Sequence, residues 1–169
     1  MHISRLTPAH AAAYRAFMLQ TYADEPEGFT ATVAERAPLP LAWWTARVSD
    51  EPDPAELVYG AFVDARLVGV AGLRFERRER TRHKASLFGL CMLPSFRGQG
   101  IARALVEQVL TQARSTPGTC VVQLKVMASN VPALQLYESC GFRPYGTEPY
   151  AIKMDEAFVS VVHMWRTVD

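Results

Sequence analysis

Apolar positions change their spacing several times along the chain, and each change marks a new element. Ala11, Tyr14, Phe17, Met18 and Thr21 recur every three or four residues after the start signal Thr7-Pro8, which predicts a first helix over about Pro8 to Tyr22. From Asp24 to Pro40 the prolines and Gly28 favour a loop, and Leu41 to Val48 then offers a short second helix carrying Trp43 and Trp44. Leu57 to Val63 and Leu67 to Arg74 are strand-like runs. Asp64-Ala65-Arg66 between them is a connection of hairpin length, so the two are expected to pair antiparallel. Lys84 to Leu93 is a third β-rich run stopped by Pro94, and Ile101 to Ala113 is amphipathic, with Ile101, Ala104, Leu105 and Val109 on one side.

Further on, Cys120 to Met127 alternates as a strand does, and Val131 to Cys140 reads as helix. Gly141 is placed to end that helix in the left-handed conformation. Tyr150 to Met154 and Phe158 to Trp165 read as strands joined around Asp155-Glu156. Hairpins at both ends therefore flank a strand, helix, strand, helix section whose two strands run parallel. The expected fold class is α/β in the mixed α+β sense, in one domain over residues 1–169.

Composition narrows the function. Of 169 residues, 49% are hydrophobic and 21% charged, enough apolar material for a core and too much for a disordered chain. Eighteen basic against 17 acidic residues give a net charge of +1, so no global field draws the chain to nucleic acid or anionic lipid. The longest apolar runs fall far short of the roughly 18 residues of a membrane span. The N-terminus Met1-His2-Ile3-Ser4-Arg5 lacks the apolar stretch of a secretory signal, and a cytoplasmic location is expected. Cys91, Cys120 and Cys140 match no disulfide framework or zinc spacing and read as small buried hydrophobes. The histidines show no i, i+4 pair, and no metal site is expected.

The segment Leu90-Cys91-Met92-Leu93-Pro94-Ser95-Phe96-Arg97-Gly98-Gln99-Gly100-Ile101-Ala102 carries the most chemistry, because two glycines sit where a strand gives way to a helix. Glycine lets a ligand approach the backbone closely, and the free N–H groups of a first helical turn favour a phosphate. Arg97 can add a charge-assisted contact; the plain alternative is a tight turn with an arginine in water. A Walker loop needs Lys and Ser or Thr where Ile101 and Ala102 stand, and a dinucleotide fingerprint needs a third glycine after a first strand. Both are disfavoured. Downstream, Asn130 and Tyr137 are seven residues apart and leave one face of a helix. Taken singly, Asn130 reads equally as an N-cap and Tyr137 as a packing residue with a wet hydroxyl.

Together, Arg97-Gly98-Gln99-Gly100-Ile101-Ala102 and the later Asn130, Ala133, Leu136-Tyr137 and Gly141-Phe142 resemble the two cofactor motifs of the GNAT superfamily of N-acetyltransferases. The resemblance is specific from about Ser86 to Phe142 and topological elsewhere. It implies a mixed, mostly antiparallel sheet of six to seven strands with about four helices, splayed between the two central parallel strands. It also implies acetyl-CoA as cosubstrate. Main-chain groups of Leu90, Cys91, Met92 and Leu93 would meet the pantetheine arm, helped by a bulge at Gly89. The turn of Arg97, Gly98, Gln99, Gly100, Ile101 and Ala102 would hold the pyrophosphate, with Asn130 and Ala133 on the other side.

The implied reaction is attack of a neutral amine on the thioester. Tyr137 would act as general acid to the departing sulfur, a near-balanced transfer between groups of reference pKa about 10 and about 8.5. The strand Lys84 to Leu93 holds no Asp or Glu to serve as base; Glu25, Glu76, Glu148 and His163 remain candidates through water. Phe29, Glu148 and His163 are the acceptor-site candidates, and Tyr22, Trp43 and Trp44 read as pocket wall or as core. The basic connection Arg74 to Lys84 is interrupted by Glu76 and Glu79 and reads as a solvated hairpin tip. The expected partner is a small-molecule or peptide amine, with the chain a monomer or homodimer. The alternative is a non-catalytic acyl-CoA sensor on the same fold.

Overall fold

The structure is a computed structural model that describes residues 1–168. Its strands are β1 (His2–Arg5), β2 (Glu56–Val63), β3 (Arg66–Phe75), β4 (Lys84–Met92), β5 (Val121–Met127), β6 (Arg143–Met154) and β7 (Ala157–Thr167), and its helices α1 (Ala11–Asp24), α2 (Val33–Arg36), α3 (Leu41–Arg47), α4 (Ile101–Ser115) and α5 (Val131–Ser139). The strands form one sheet in the order β1-β2-β3-β4-β5-β7-β6. Neighbours are antiparallel except β4 and β5, the parallel pair that the alternation of strand and helix predicts.

Four features depart from the sequence reading. β1, too short for a pattern of its own, pairs along β2. The loop from Asp24 to Pro40 holds the one-turn α2, started by a capping box in which Glu35 N–H donates to Thr32 Oγ1 (3.2 Å) and Thr32 N–H to Glu35 Oε2 (2.9 Å). β6 begins at Arg143 rather than Tyr150, because an exposed edge strand tolerates Pro144, Gly146 and Pro149, and its register shifts twice. Cys120 is exposed, while Cys91 and Cys140 are buried as expected.

β2 and β3 are buried on both faces, which is why they read as continuous apolar runs. On one face lies α4: Tyr59 donates to Gln112 Oε1 at 2.7 Å, and a Cβ placed on Gly69 would stand 3.2 Å from Leu105 Cδ1. On the other, the Phe88 ring lies directly over Gly72, where a Cβ would be 2.3 Å from Phe88 Cζ, and the Arg47 guanidinium of α3 stands 5.9 Å from that ring. Burying Val68, Val70 and Leu73 in this double layer contributes about 1.5–3 kcal/mol each. β5 alternates instead, with Val122, Leu124 and Val126 buried and Gln123, Lys125 and Met127 on the face that α1 and α3 leave uncovered.

The sheet opens at its centre. β4 and β5 pair only through Lys84↔Val121, Ala85↔Val122 and Ser86↔Gln123, although both strands run on to Met92 and Met127. A bulge forces the parting: Val70 faces Cys91 and Gly72 faces Phe88, so Gly89 and Leu90 together oppose Ala71. Gly89 has φ +63°, the left-handed geometry that makes such a bulge accessible and bends the strand.

Candidate active site

A cleft of about 620 Å³ occupies the opening. Its floor is a cross-sheet row on one face, Arg74↔Ser86↔Gln123, extended by Lys125↔His163 on β5 and β7. The walls bring together Phe29 from the loop after α1, Leu90 from the bulge, Asn130, Ala133 and Tyr137 from α5, and Glu148 and His163 from the terminal hairpin. Seven candidates scattered from Phe29 to His163 thus share one cavity. Cys91, Met92, Leu93 and the turn of residues 97–102 do not line the cavity itself; they continue from the end of β4 into α4.

Along β4 only main-chain groups are on offer, since Cys91, Met92 and Leu93 have buried side chains. Cys91 Sγ lies 3.9 Å from Met18 Sδ, and burial holds its thiol pKa far above the ordinary range, so it is not a nucleophile. Leu93 N–H donates to Val68 C=O (2.9 Å) and is therefore not free, unlike the expectation. The alternation of an antiparallel ladder turns the preceding N–H, that of Met92, the other way, toward the side on which β4 has no partner beyond Ser86.

The glycine turn presents bare donors. Gly98 (φ +74°) and Gly100 (φ +77°) are both left-handed, and a Cβ at either would meet nothing within 4 Å. Gly100 is the N-cap of α4, which has no side-chain cap. Arg97 N–H bonds Pro94 C=O and Ala104 N–H bonds Gly100 C=O (3.1 Å), and the N–H groups of residues 98–103 between them have no partner among the described residues. Ile101 anchors the turn in the core, Ala102 is half-buried, and Gln99 Nε2 donates to Ser95 C=O (3.3 Å). The Arg97 guanidinium pairs with Glu25. Sequence reasoning missed Arg103, which donates to Ser139 Oγ at 2.7 Å and ties the start of α4 to the end of α5; nothing in its spacing signals this.

On α5, Asn130 Oδ1 accepts from Ala133 N–H (3.2 Å), so the capping role is real and the side-chain NH2 remains to face the cleft. Gly141 (φ +84°) ends the helix as expected, with Phe142 N–H bonding Tyr137 C=O. Tyr137 is buried, its ring edge-on to Phe142 at 5.9 Å between centroids. Burial, then the nearby Cys91 and Cys140, push its phenol pKa up, so the proton is held more tightly than the near-balanced reference values suggest.

Across the cleft, His163 Nε2 and Glu148 Oε2 are 2.9 Å apart, and Lys125 Nζ is 3.7 Å from the same oxygen. The His163 hydrogen bond, then Lys125, hold the Glu148 carboxyl below its usual range. Glu25 is occupied by Arg97, and Glu76 is exposed outside the cleft. Phe29 packs edge-on against Tyr22 at 5.0 Å. Neither tryptophan lines the cavity: Trp44 is core, and the Trp43 ring carries the Arg36 and Arg47 guanidiniums at 4.8 and 4.7 Å from its centroid. In the basic connection Arg74 pairs with Glu56 and Arg77 with Asp53. Among the described residues no group of three or more His, Cys, Asp or Glu is placed to hold a metal, and no helix is long and apolar enough to cross a membrane.

This geometry has counterparts in known proteins. The profile of the Acetyltransferase (GNAT) family matches residues 14–142. An L-amino acid N-acetyltransferase, AaaT, of Escherichia coli strain K12 is 30% identical over 124 residues, 73% of this chain and 74% of that protein. A streptothricin acetyltransferase of Escherichia coli is 32% identical over 104 residues, 62% of this chain and 57% of its own length. Among solved structures, yncA of Salmonella typhimurium, determined with its cofactor acetyl-CoA, superposes with a TM-score of 0.80 at 19% identity, covering 100% of this chain and 94% of that one, a likeness of fold. Because the matched stretch holds most of α1, the splayed pair, the glycine turn and α5, the chain belongs to the acetyltransferase (GNAT) family and is an acyltransferase.

Proposed function

We propose that this chain transfers an acetyl group from acetyl-CoA to a primary amine, by direct attack through a tetrahedral intermediate. The observation that carries the reading is the parted β4 and β5, whose pairing stops at Ser86 and whose opening leads to a turn of unpartnered donors. An extended pantetheine arm adds to the exposed edge of β4 as a peptide strand would, its amides meeting main-chain groups of Leu90 and Met92 rather than of Cys91, which faces Val70 on β3. The pyrophosphate lies on the N–H groups of residues 98–102 at the positive end of α4. Asn130 and Ala133 flank the arm, and the thioester stands in the cleft near Tyr137.

The Met92 N–H, turned into the gap, is placed to stabilise the oxyanion. Tyr137 protonates the sulfur as it leaves. Its raised pKa keeps the phenol protonated throughout the working range, and a thiolate formed in the same poorly solvated place is correspondingly more basic. The acceptor is a small-molecule or peptide amine entering along the uncovered sheet face past Phe29.

The test is an amine panel of amino acids, a polyamine, streptothricin and short peptides, read by coenzyme A release and run on wild type and Tyr137→Phe. The expected outcome is release with at least one amine, and a kcat lowered about 10²-fold in the variant with acetyl-CoA affinity unchanged. Acetyl-CoA binding without release from any amine would make the chain a sensor instead, and an unchanged kcat would remove Tyr137 from the acid role.

A further inference from the structure

The acyl-transfer reading leaves one proton without a destination. At neutral pH an alkyl amine with a reference pKa near 10.4 is almost wholly ammonium and must lose a proton before it can attack. β4 carries no carboxylate, and Glu25 is held by Arg97 of the glycine turn. Among the residues lining the cleft, Glu148 is the carboxylate and His163 the imidazole, and they are bonded to each other.

From this juxtaposition we infer that His163 is the base that deprotonates the acceptor amine and that Glu148 positions it. The inference rests on the acyl-transfer reading of the same cleft. His163 stands on the uncovered sheet face, with Lys125 directly across on β5 and Gly146 on β6. Its side chain is 21% exposed, sheltered enough to be held and open enough to meet a solute. Nε2–H donates to Glu148 Oε2, which leaves the Nδ1 lone pair as the proton acceptor and fixes which nitrogen is free. The Tyr145 ring packs edge-on to the imidazole at 5.7 Å and limits its rotation.

The charged and titratable groups facing the imidazole are Lys125 from β5, Glu148 and Tyr145 from β6, and Tyr137 from α5 across the cleft. Lys125 and Glu148 offset each other, so the imidazolium formed by proton capture adds a single charge to a neutral pair at a solvated rim.

The balance closes. The ammonium gives one proton to Nδ1, directly or through one water, and the freed electron pair forms the C–N bond at the acetyl carbon. The oxyanion collapses, the C–S bond breaks, and the sulfur takes the Tyr137 proton. The second proton on nitrogen returns to Tyr137, and His163 releases its own to solvent. The sum is thioester plus ammonium giving amide, thiol and one proton.

The experiment measures kcat/KM against pH for wild type, His163→Ala, His163→Asn and Glu148→Gln, using the best amine from the panel, alongside acetyl-CoA affinity and melting temperature. Both His163 variants are expected to keep affinity and melting temperature and to lose about 10²-fold in kcat/KM at pH 7. The loss should shrink as pH rises toward the pKa of the amine, and added imidazole should restore part of it. Glu148→Gln should lose less and move the acid limb of the profile. A His163→Ala profile that overlays wild type overturns the assignment and leaves acyl transfer standing; wild type that acetylates no amine overturns both.

Discussion

Gly98 and Gly100 allow backbone strain to be separated from ligand contact, because the chain carries its own control. Gly118, in the connection between α4 and β5, has φ +83° and, like the other two, open space where a Cβ would go. It lies beyond the far end of the 15-residue α4, about 22 Å from the turn. Alanine at any of the three positions must adopt a left-handed conformation, at a cost of about 1–2 kcal/mol, and no neighbour adds a clash. For a chain of this size that corresponds to a fall of about 2–8 °C in melting temperature, similar for the three variants. Acetyl-CoA affinity should divide them. A methyl group at 98 or 100 stands off the diphosphate and lengthens at least one charge-assisted hydrogen bond. Losing about 1.5–3 kcal/mol there raises Kd about 10- to 150-fold, whereas Gly118→Ala should leave Kd unchanged. Calorimetric titration of acetyl-CoA into the three variants, with thermal melts on the same samples, reads both quantities. Unchanged affinity in Gly98→Ala and Gly100→Ala, or an equal loss in Gly118→Ala, would refute the placement of the pyrophosphate on this turn.

Other outcomes follow from packing and titration. Gly72→Ala puts a Cβ 2.3 Å from Phe88 Cζ; the ring must leave its place, at about 1–3 kcal/mol by urea unfolding, and wild-type stability would show that the ring does not lie on the glycine. Tyr137 and Tyr14 have folded pKa values raised by burial above the unfolded value of about 10. Their contribution to stability is complete below pH 10 and lost as pH climbs toward the folded values, so Tyr137→Phe should move the alkaline unfolding midpoint upward; an unmoved midpoint would deny the phenol's burial. For Glu148 the shift is downward, chiefly through His163. The carboxyl resonance should therefore titrate below free glutamate in wild type and move back up in His163→Ala, less so in Lys125→Met, and a titration indifferent to His163 would mean that the hydrogen bond does not form in solution.

Local patterns carried much of this architecture. Helix starts, the hairpin between β2 and β3, the left-handed glycine after α5 and the parallel central pair all follow from spacing and turn chemistry, which act within a few residues. The structure gives those patterns their cause: the continuous runs of β2 and β3 are buried on both faces, and β5, which alternates, is buried on one. The open backbone of the glycine turn was legible because only glycine leaves bare main chain where any other residue would carry a Cβ. β1 and the first half of β6 were not, since a four-residue strand and a proline-bearing edge take their conformation from the neighbour they pair with.

What remained for the tertiary structure was the assembly of the cleft. Glu148 and His163 are 15 residues apart and meet only through the register of β6 on β7, which a shift of one residue would have turned to opposite faces. The engagement of Arg97 by Glu25 and of Arg103 by Ser139 likewise spans tens of residues. Period and turn chemistry specify a residue's own backbone, whereas the partner of a polar side chain is whatever the packed sheet and helices bring within about 3 Å of it. This chain's sequence therefore determined its elements and its open glycine turn, and folding alone decided which carboxylate, imidazole and phenol share a cavity.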